Sequence, residues 1–461
     1  MEGKGLHLTF WQSMPLVTQI GAGIAWSELF GFSQEALRVL TLAFALLLCL
    51  VTYDLGRSLG LSDQTALVAC LLLPASPIFL ALSFTFMTDV PGAALAFLSL
   101  ALLVRYLKAG RWYLFFASAV VLLLAVLLRQ TAIAVPLGLL LAGGRRRLVP
   151  ALFLLGLSAG ALLLLPVLLL HTTGLPGAYT AKSNALLDVL GRIAHGHPGA
   201  LLPALRAALH LVGYLGLFSL PLAPVIARWP QPRLLIICLA GAVLAIAMGQ
   251  SVLAGPLGNI LTLDGIGPRI GDPTVLWPLS WGLTVIAFLQ AGFVLEPVLR
   301  RLRSYDEITL LVLATAVLLY VPYALAFAAL FDRYTLPSSI LLVMVALGAV
   351  KPPDTRWVMA TSLACFLLSC LLVQDYFQWQ RNRQAILDYA IGVMHIPREQ
   401  IAAGFEPDNL AAIVSSPQEA HRMRLVDSSH RPYRSLPQPE GTVLRQSGGL
   451  FLSYISGPGK S

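Results

Sequence analysis

Positively charged residues occupy every second gap between the long apolar segments of this chain, and this alternation constrains what the chain can fold into. The basic gaps contain Arg57, then Arg105, Lys108 and Arg111, then Arg145, Arg146 and Arg147, then Arg228 and Arg233, then Arg300, Arg301 and Arg303, and finally Lys351 and Arg356. The gaps between them hold isolated charges, namely Asp89, Arg129, Arg269, Asp332 and Arg333. Basic loops of polytopic membrane proteins face the cytoplasm. The pattern therefore predicts a multi-pass membrane protein whose sparsely charged gaps lie on the outer side.

The composition excludes a soluble protein. Of the 461 residues, 57% are hydrophobic and only 11% are charged, whereas about a quarter of the residues of a soluble domain are charged. A net charge of +9 would suggest nucleic-acid binding in a soluble protein. Here the excess lies at helix ends on one side, so we interpret it as a signal for orientation.

The five cysteines lie inside apolar segments, which argues against a disulfide framework or a thiolate metal site. They are Cys49, Cys70, Cys238, Cys365 and Cys370. We interpret them as small packing residues.

About twelve apolar segments approach the roughly 20 residues that a spanning helix needs. They are 36–53, 64–82, 90–107, 112–128, 130–142, 148–170, 207–227, 233–253, 276–295, 308–330, 335–350 and 356–374. The segment 130–142 is short and 335–350 follows a charged cluster, so each is expected to be tilted, broken or partly re-entrant. The stretch Leu6 to Ser13 lacks the apolar core of a signal peptide, so the first long span is expected to direct insertion. An even number of spans places both termini on the outer side.

The chain is expected to comprise three regions. Residues 1–35 form an outer-surface loop and an amphipathic interfacial helix over Met14–Phe30, with Trp11 and Trp26 at headgroup depth. Residues 36–374 form an all-α transmembrane domain, whose outer segments 171–206 and 254–275 form loops over a cavity. Residues 375–461 are polar and form a small outer α+β tail.

Within the tail, residues 378–394 have helical periodicity. Two short alternating segments flank Gly448 and Gly449, Thr442–Ser447 on one side and Leu450–Ile455 on the other. This arrangement is typical of a β-hairpin.

Ionisable groups at the outer ends of spans are costly and are therefore candidates for function. The first, Asp89, either caps a helix that starts near Pro91 or faces an outer cavity. The second, Arg129, is followed by Gln130, and its guanidinium carries five donors that match phosphate oxygens. The alternatives for Arg129 are snorkelling towards the interface or pairing with Asp89.

The third cluster is Asp332, Arg333 and Tyr334, where the alternative is a local Asp–Arg pair that stabilises a helix end. His195 and His197 form an H-x-H pattern in an outer loop. Two ligands without a third are a weak metal signature, so solvated histidines are the simpler interpretation. The residues themselves show no Gly-rich phosphate loop, Ser-His-Asp spacing or CxxC motif.

Several segments resemble those of the bacterial GT-C glycosyltransferases. They are GFSQEALRVL, LLLPASPIFLALSFTFMTDVPGAALAFLSLALLVRYL, LLRQTAIAVPLGLLL, FDRYTLP and IPREQIAAGFE, in that order between about Gly5 and Phe405. This superfamily includes the protein O-mannosyltransferases and the aminoarabinose transferase of lipid A. The resemblance implies a site on the periplasmic side of a bacterial inner membrane, and a polyprenyl-phosphate sugar as donor.

The same resemblance implies direct displacement at the anomeric carbon with inversion. A carboxylate removes the proton of the acceptor, while basic groups or a divalent cation stabilise the lipid-phosphate leaving group. By position, Asp89 matches the acid of the second outer loop and is the expected catalytic residue. Arg129 matches the basic residue of the next outer turn, and Arg333 with Tyr334 matches the late R-Y motif, so these three are expected to bind the substrate. Gln130 and Asp332 complete the expected substrate-binding set. No certain cofactor is implied.

The beginning of the chain departs from the family pattern. Met1 to Leu6 resemble the part of the first outer loop that lies downstream of the family's catalytic base, so a first helix and that base are expected upstream. A late start codon, a fragment and an inactive homologue are the open explanations. Glu2, beside a free terminus, is a poor replacement for a base.

Three functions are therefore open. The main hypothesis is a membrane glycosyltransferase acting on a lipid, glycan or protein acceptor. The second is a transporter or lipid flippase, although transporters tend to place broken helices and charges at the midplane, in paired repeats. The third is an inactive homologue that serves as a scaffold.

Overall fold

A computed structural model describes residues 16–144, 147–172, 201–223, 230–249, 273–303, 306–326, 331–350 and 355–393, together with four strands and a few single positions near residues 184–195 and 395. The helices are α1 Val17–Phe30, α2 Gln34–Ser58, α3 Asp63–Ala75, α4 Pro77–Ser83, α5 Asp89–Ala109, α6 Trp112–Leu128, α7 Ala134–Ala142, α8 Leu148–Thr172, α9 Leu201–Phe218, α10 Pro232–Ala247, α11 Pro273–Leu302, α12 Glu307–Ala326, α13 Leu336–Leu347 and α14 Thr355–Gly392. The chain divides into two compact units, residues 1–260 with 280–370 and residues 261–279 with 371–461.

Within the described residues, each of the twelve predicted apolar segments is mainly helical, so the predicted polytopic helical architecture is confirmed. Among the described residues, five helices are long and apolar enough to cross a membrane, or up to six with one bent pair. They are α2, α5, Leu148–Leu165 of α8, Pro278–Leu302 of α11 and Arg356–Gln374 of α14. Shorter apolar helices make up the rest, among them α6, α10 and most of α12.

Two of the predicted spans are interrupted at identifiable residues. The segment 64–82 bends by 70° between α3 and α4, where Ser76 has an extended backbone because Pro77 follows it. The short segment 130–142 opens with the 3₁₀ turn Gln130–Ile133 before α7. The segment 335–350 follows the turn Asp332–Thr335 in the same way. The expected break is therefore present at 130–142. In 335–350 the helix Leu336–Leu347 is continuous, and the expected tilt or re-entrance of this segment stays a prediction.

Packing of the first unit brings the breaks together. Helix α5 lies between α2 and α6, and α12 lies between α7 and α13. Ser99 of α5 and Ser118 of α6 bond through their hydroxyls at 3.0 Å. These contacts set the start of α5, the α6–α7 break and the start of α13 side by side.

Residues from the basic gaps meet at the other end of α13. Arg301 donates to the carbonyl of Gly348 at 2.9 Å, and Gly348 packs against Leu61 of the α2–α3 connection. Arg147 lies 3.9 Å from Glu307 at the start of α12. Four basic gaps therefore lie at one end of this unit.

Helix α1 differs from the prediction. It begins near the expected position but is not amphipathic, because it buries Gln19 and Gly23 while Leu29 and Phe30 are exposed. Apolar residues are spread around its circumference. Trp11 lies outside the described residues.

Helix α14 runs from Thr355 to Gly392 without a break. The predicted helical conformation of 378–394 is therefore confirmed up to Gly392, as the continuation of the preceding apolar helix. No proline or glycine interrupts the stretch before Gly392, so the change to polar composition is not a change of structure.

Four strands form a sheet in the second unit. They are β1 Ile401–Ala402, β2 Met423–Asp427, β3 Val443–Ser447 and β4 Leu450–Tyr454, in the order β1-β2-β4-β3. The predicted hairpin is confirmed by the antiparallel pairing of β3 with β4. An independent α+β tail domain stays a prediction. The expected outer loops lie largely outside the described residues.

Gly216 of α9 provides a test of this packing, because a Cβ there would overlap the backbone of Ala287 on α11. We expect Gly216→Ala to lower the free energy of unfolding by about 1–3 kcal/mol. Gly282→Ala on α11 is the matched control, since nothing lies within 4 Å of its Cβ position. The control should be neutral or stabilising. Thermal unfolding of the purified protein in detergent measures both, and equal effects would contradict the α9–α11 contact.

Candidate active site

Asp89 and Arg129 are brought together by the helix ends that carry them. Asp89 opens α5, and no side-chain hydrogen bond caps this helix at Thr88. Arg129 follows α6 with an extended backbone, φ −151° and ψ 113°, which turns the chain into the Gln130–Ile133 turn. The Cβ position of Gly92 lies 3.2 Å from Cδ of Arg129, so a glycine here lets the arginine stem cross α5. A larger residue would press on that stem.

Arg333 reaches the same place from the Asp332–Thr335 turn. Asp332 is fully buried, and its Oδ1 accepts the backbone N–H of Arg333 at 2.7 Å. The hydroxyl of Thr335 donates to the Asp332 carbonyl at 2.7 Å. Asp332 therefore shapes the turn that presents Arg333.

The three charges form a buried ion cluster, which consists of Asp89, Arg129 and Arg333. Nη1 of Arg129 lies 2.5 Å from Oδ1 of Asp89, and Nε of Arg333 lies 3.8 Å from the same oxygen. Asp89 and Arg129 are each 7% exposed. Two cations share one carboxylate oxygen, so this cluster carries an excess positive charge.

Two tyrosines hold Arg129 from the side opposite Asp89. Nε of Arg129 donates to the hydroxyl of Tyr323 at 2.8 Å. The rings of Tyr323 and Tyr334 stack with centroids 3.8 Å apart and planes inclined by 13°. The Arg129 guanidinium lies 5.4 Å from each centroid, within cation–π range. Arg129 thus has its orientation fixed by both charge and stacking.

Arg333 is less completely satisfied than Arg129. Its guanidinium lies 4.6 Å from the ring of Phe331 and 5.5 Å from that of Tyr334. Its Nε is buried and has no hydrogen-bond partner among the described residues. A buried donor without a partner is uncommon and needs an explanation, for which a ligand is one candidate.

Both arginines stay charged in these surroundings. Burial lowers the pKa of each guanidinium, but the nearby carboxylate of Asp89 more than offsets this, so each pKa lies above its ordinary value. Neither side chain can act as a proton donor near neutral pH. Their chemical capacity is to bind and stabilise anions.

A groove opens beside the cluster. Its empty volume is about 370 Å³, including the open side. The cluster lines it together with Gly92, Thr131, Tyr323, Tyr334 and Pro337, among others. The groove therefore presents guanidinium and phenol groups from three separate chain segments, and the carboxylate of Asp89 from a fourth.

Four of the six residues expected from the sequence line this groove: Asp89, Arg129, Arg333 and Tyr334. Asp332 lies behind it and supports the turn. Half-buried Gln130 is not among the lining residues, and its neighbour Thr131 lines the groove instead. Tyr323 was not expected, because a single tyrosine within an apolar helix gives no signal in the sequence beyond its hydroxyl.

The alternatives weighed from the sequence have different outcomes. Thr88 makes no side-chain cap on α5, whereas pairing of Arg129 with Asp89 is observed. Asp332 bonds the backbone of Arg333, and the Arg333 guanidinium approaches Asp89 instead.

The histidine motif gains no support as a metal site. Nδ1 of His195 lies 2.6 Å from the carbonyl of Gly191, and His197 lies outside the described residues. Within the described part of the chain, no three His, Cys, Asp or Glu side chains form a group suited to a metal ion.

Residues 22–170 match the family model described as dolichyl-phosphate-mannose-protein mannosyltransferase, a GT-C family. The resemblance to the GT-C glycosyltransferases is confirmed. The match covers about a third of the chain and includes Asp89, Arg129 and Gln130. A comparison with curated proteins gives no significant match.

Two crystal structures of ArnT from Cupriavidus metallidurans are also similar to the chain. The apo structure has 13% sequence identity and a TM-score of 0.38, and covers 95% of this chain and 86% of the other. The structure bound to undecaprenyl phosphate has 12% identity and a TM-score of 0.36, with 95% and 87% coverage.

The ion cluster predicts an unequal response to loss of charge. Asp89→Ala leaves two buried guanidinium groups without their carboxylate, so we expect the free energy of unfolding to fall by about 3–5 kcal/mol. Asp54→Ala is the control, because it removes a carboxylate from a more exposed ion pair. In that pair the side chain of Arg105 is 47% exposed and that of Asp54 is 33% exposed. That control should cost about 0–1 kcal/mol. Denaturant unfolding followed by tryptophan fluorescence measures both, and similar losses would contradict the burial of the cluster.

Proposed function

We propose that this protein is an integral membrane glycosyltransferase, which transfers a sugar from a polyprenyl-phosphate donor to a lipid, glycan or protein acceptor. The membrane-spanning helices, the family match over residues 22–170 and the ion cluster all support this function. The donor class also agrees with the undecaprenyl phosphate named for one similar structure.

The observation that carries the proposal is the unsatisfied Nε of Arg333 beside a pair of guanidinium groups with one counter-ion. A phosphate oxygen in the groove would accept that N–H and balance the excess charge. Arginine suits this role, because its planar donors match phosphate oxygens.

The leaving group explains why the site is positively charged. During transfer, the bond between the anomeric carbon and a phosphate oxygen breaks, and the acceptor oxygen bonds to that carbon. The departing polyprenyl phosphate gains negative charge as this happens. Arg129 and Arg333 stabilise this developing charge more strongly in the transition state than in the bound donor, which lowers the activation barrier of transfer.

We assign Asp89 as the counter-ion that positions both arginines. Its Oδ1 already faces Arg129 at 2.5 Å and Arg333 at 3.8 Å, and a carboxylate held by two cations is a weak proton acceptor. On this proposal, a base other than Asp89 takes the proton of the acceptor.

Arg333→Gln tests donor binding directly. Removing hydrogen bonds to a charged ligand costs about 1.5–3 kcal/mol, so we expect undecaprenyl phosphate to bind roughly tenfold to a hundredfold more weakly. Arg333→Lys keeps the positive charge but loses the planar pair of guanidinium donors. Its dissociation constant should lie between those of the original protein and Arg333→Gln. Fluorescence titration of the purified protein in detergent gives the dissociation constants.

Lys108→Gln is the matched control, because Lys108 lies in the last turn of α5, at the end of that helix distant from Asp89. Its affinity for undecaprenyl phosphate should equal that of the original protein.

Transfer of a labelled sugar from undecaprenyl phosphate distinguishes an enzyme from a transporter or an inactive homologue. Unchanged binding in both Arg333 variants would remove the arginine from the site.

Sidedness provides a second test, since the proposal places the groove on the periplasmic side. Phe84→Cys, just before α5, and Lys108→Cys, near its end, are both exposed positions. In a variant without the five natural cysteines, an impermeant thiol reagent added to intact cells should label position 84 only. Labelling of position 108 alone would place the groove on the cytoplasmic side.

A further inference from the structure

A second groove lies among the basic gaps, away from the ion cluster. Its empty volume is about 510 Å³, including the open side, and it lies between the start of α10 and the end of α11. Arg301, near the same end of α11, contacts Gly348 just after α13. The ion cluster precedes the start of α13, which is 12 residues long, or about 18 Å at 1.5 Å per residue.

Three arginines give this groove a positive charge. Arg233 comes from the first turn of α10, and Arg300 and Arg303 come from the end of α11. Arg300 is paired with the buried Glu296 at 2.9 Å, so the remaining charge is that of Arg233 and Arg303. Both are exposed, and within the described residues neither has a polar partner. The first turn of α10 also directs backbone N–H groups to this end, which favours an anion.

The walls of the groove continue into an apolar surface. Ile237 and Leu299 line it and are 65% and 45% exposed. Ile236 and Leu302 next to them are exposed as well. In a helix that crosses the membrane, such residues face acyl chains. A soluble anion would use the arginines but leave this apolar surface without a role.

We propose that this groove binds the phosphate head group of an anionic glycerophospholipid, with its acyl chains along α10 and α11. The three arginines supply charge complementarity, and Glu296 fixes the position of Arg300. Basic grooves between spans on the cytoplasmic side recognise lipid head groups by the same physics. The site is separate from the proposed transfer reaction and does not depend on it.

Lipid retention measured by native mass spectrometry tests the proposal. The full chain should retain phosphatidylglycerol more strongly than phosphatidylcholine. The double variant Arg233→Gln/Arg303→Gln should bind phosphatidylglycerol roughly thirtyfold more weakly, at about 1 kcal/mol per arginine. Lys108→Gln, a basic residue outside the groove, should bind as the original protein does.

Three results would overturn the proposal. Equal retention of both lipids, or an unchanged double variant with intact thermal stability, would show that the arginines recognise no head group. Displacement of phosphatidylglycerol by millimolar glycerol 3-phosphate would show a site for a soluble anion, because the acyl chains then contribute nothing. Resistance to that displacement supports the lipid.

Discussion

The arrangement of the first unit depends on one electrostatic constraint, the burial of Asp89 with two arginines. A buried charge is stable only when its partners are close and well oriented, and here the three charges come from three distant parts of the sequence. The chain meets this constraint by ending or breaking helices at the cluster. Helix α5 starts at Asp89, α6 ends just before Arg129, and a 3₁₀ turn carries Arg333.

These breaks also give the groove its chemical character. Continuous helices would place side chains around a cylinder and leave the guanidinium groups to face lipid or snorkel away. The turns at Gln130–Ile133 and Asp332–Thr335 direct Arg129 and Arg333 inward. Tyr323 and Tyr334 then fill the space between α12 and the second turn and hold Arg129 from the side. Non-helical backbone at such a place is tolerated because it lies against protein and lines a cavity.

The sequence predicts the helical segments and most of the groove because a membrane makes charge expensive. Long apolar runs have few alternatives to helices, and Asp89, Arg129 and Arg333 are conspicuous in gaps that orientation leaves uncharged. The same logic cannot find Tyr323, since a tyrosine in an apolar helix is common. It also selects Gln130 over Thr131, because adjacent polar residues on a turn point in directions that periodicity does not specify. The prediction of an amphipathic α1 was wrong for a similar reason. The buried residues of this helix are the polar Gln19 and Gly23, so no apolar stripe marks its buried side.

The two grooves of this unit differ in how their charges are paired, and this difference supports the proposed role of Asp89 as a counter-ion. At the basic end, Glu296 pairs with only one of the three arginines of the groove. The other two keep exposed positive charge, which suits the binding of a lipid head group. At the ion cluster, Asp89 engages both arginines through a single oxygen in buried surroundings. A base has to release its contacts in order to accept a proton, and releasing these would leave two buried cations uncompensated. Asp89 is therefore better suited to hold a permanent anion site in place than to move a proton.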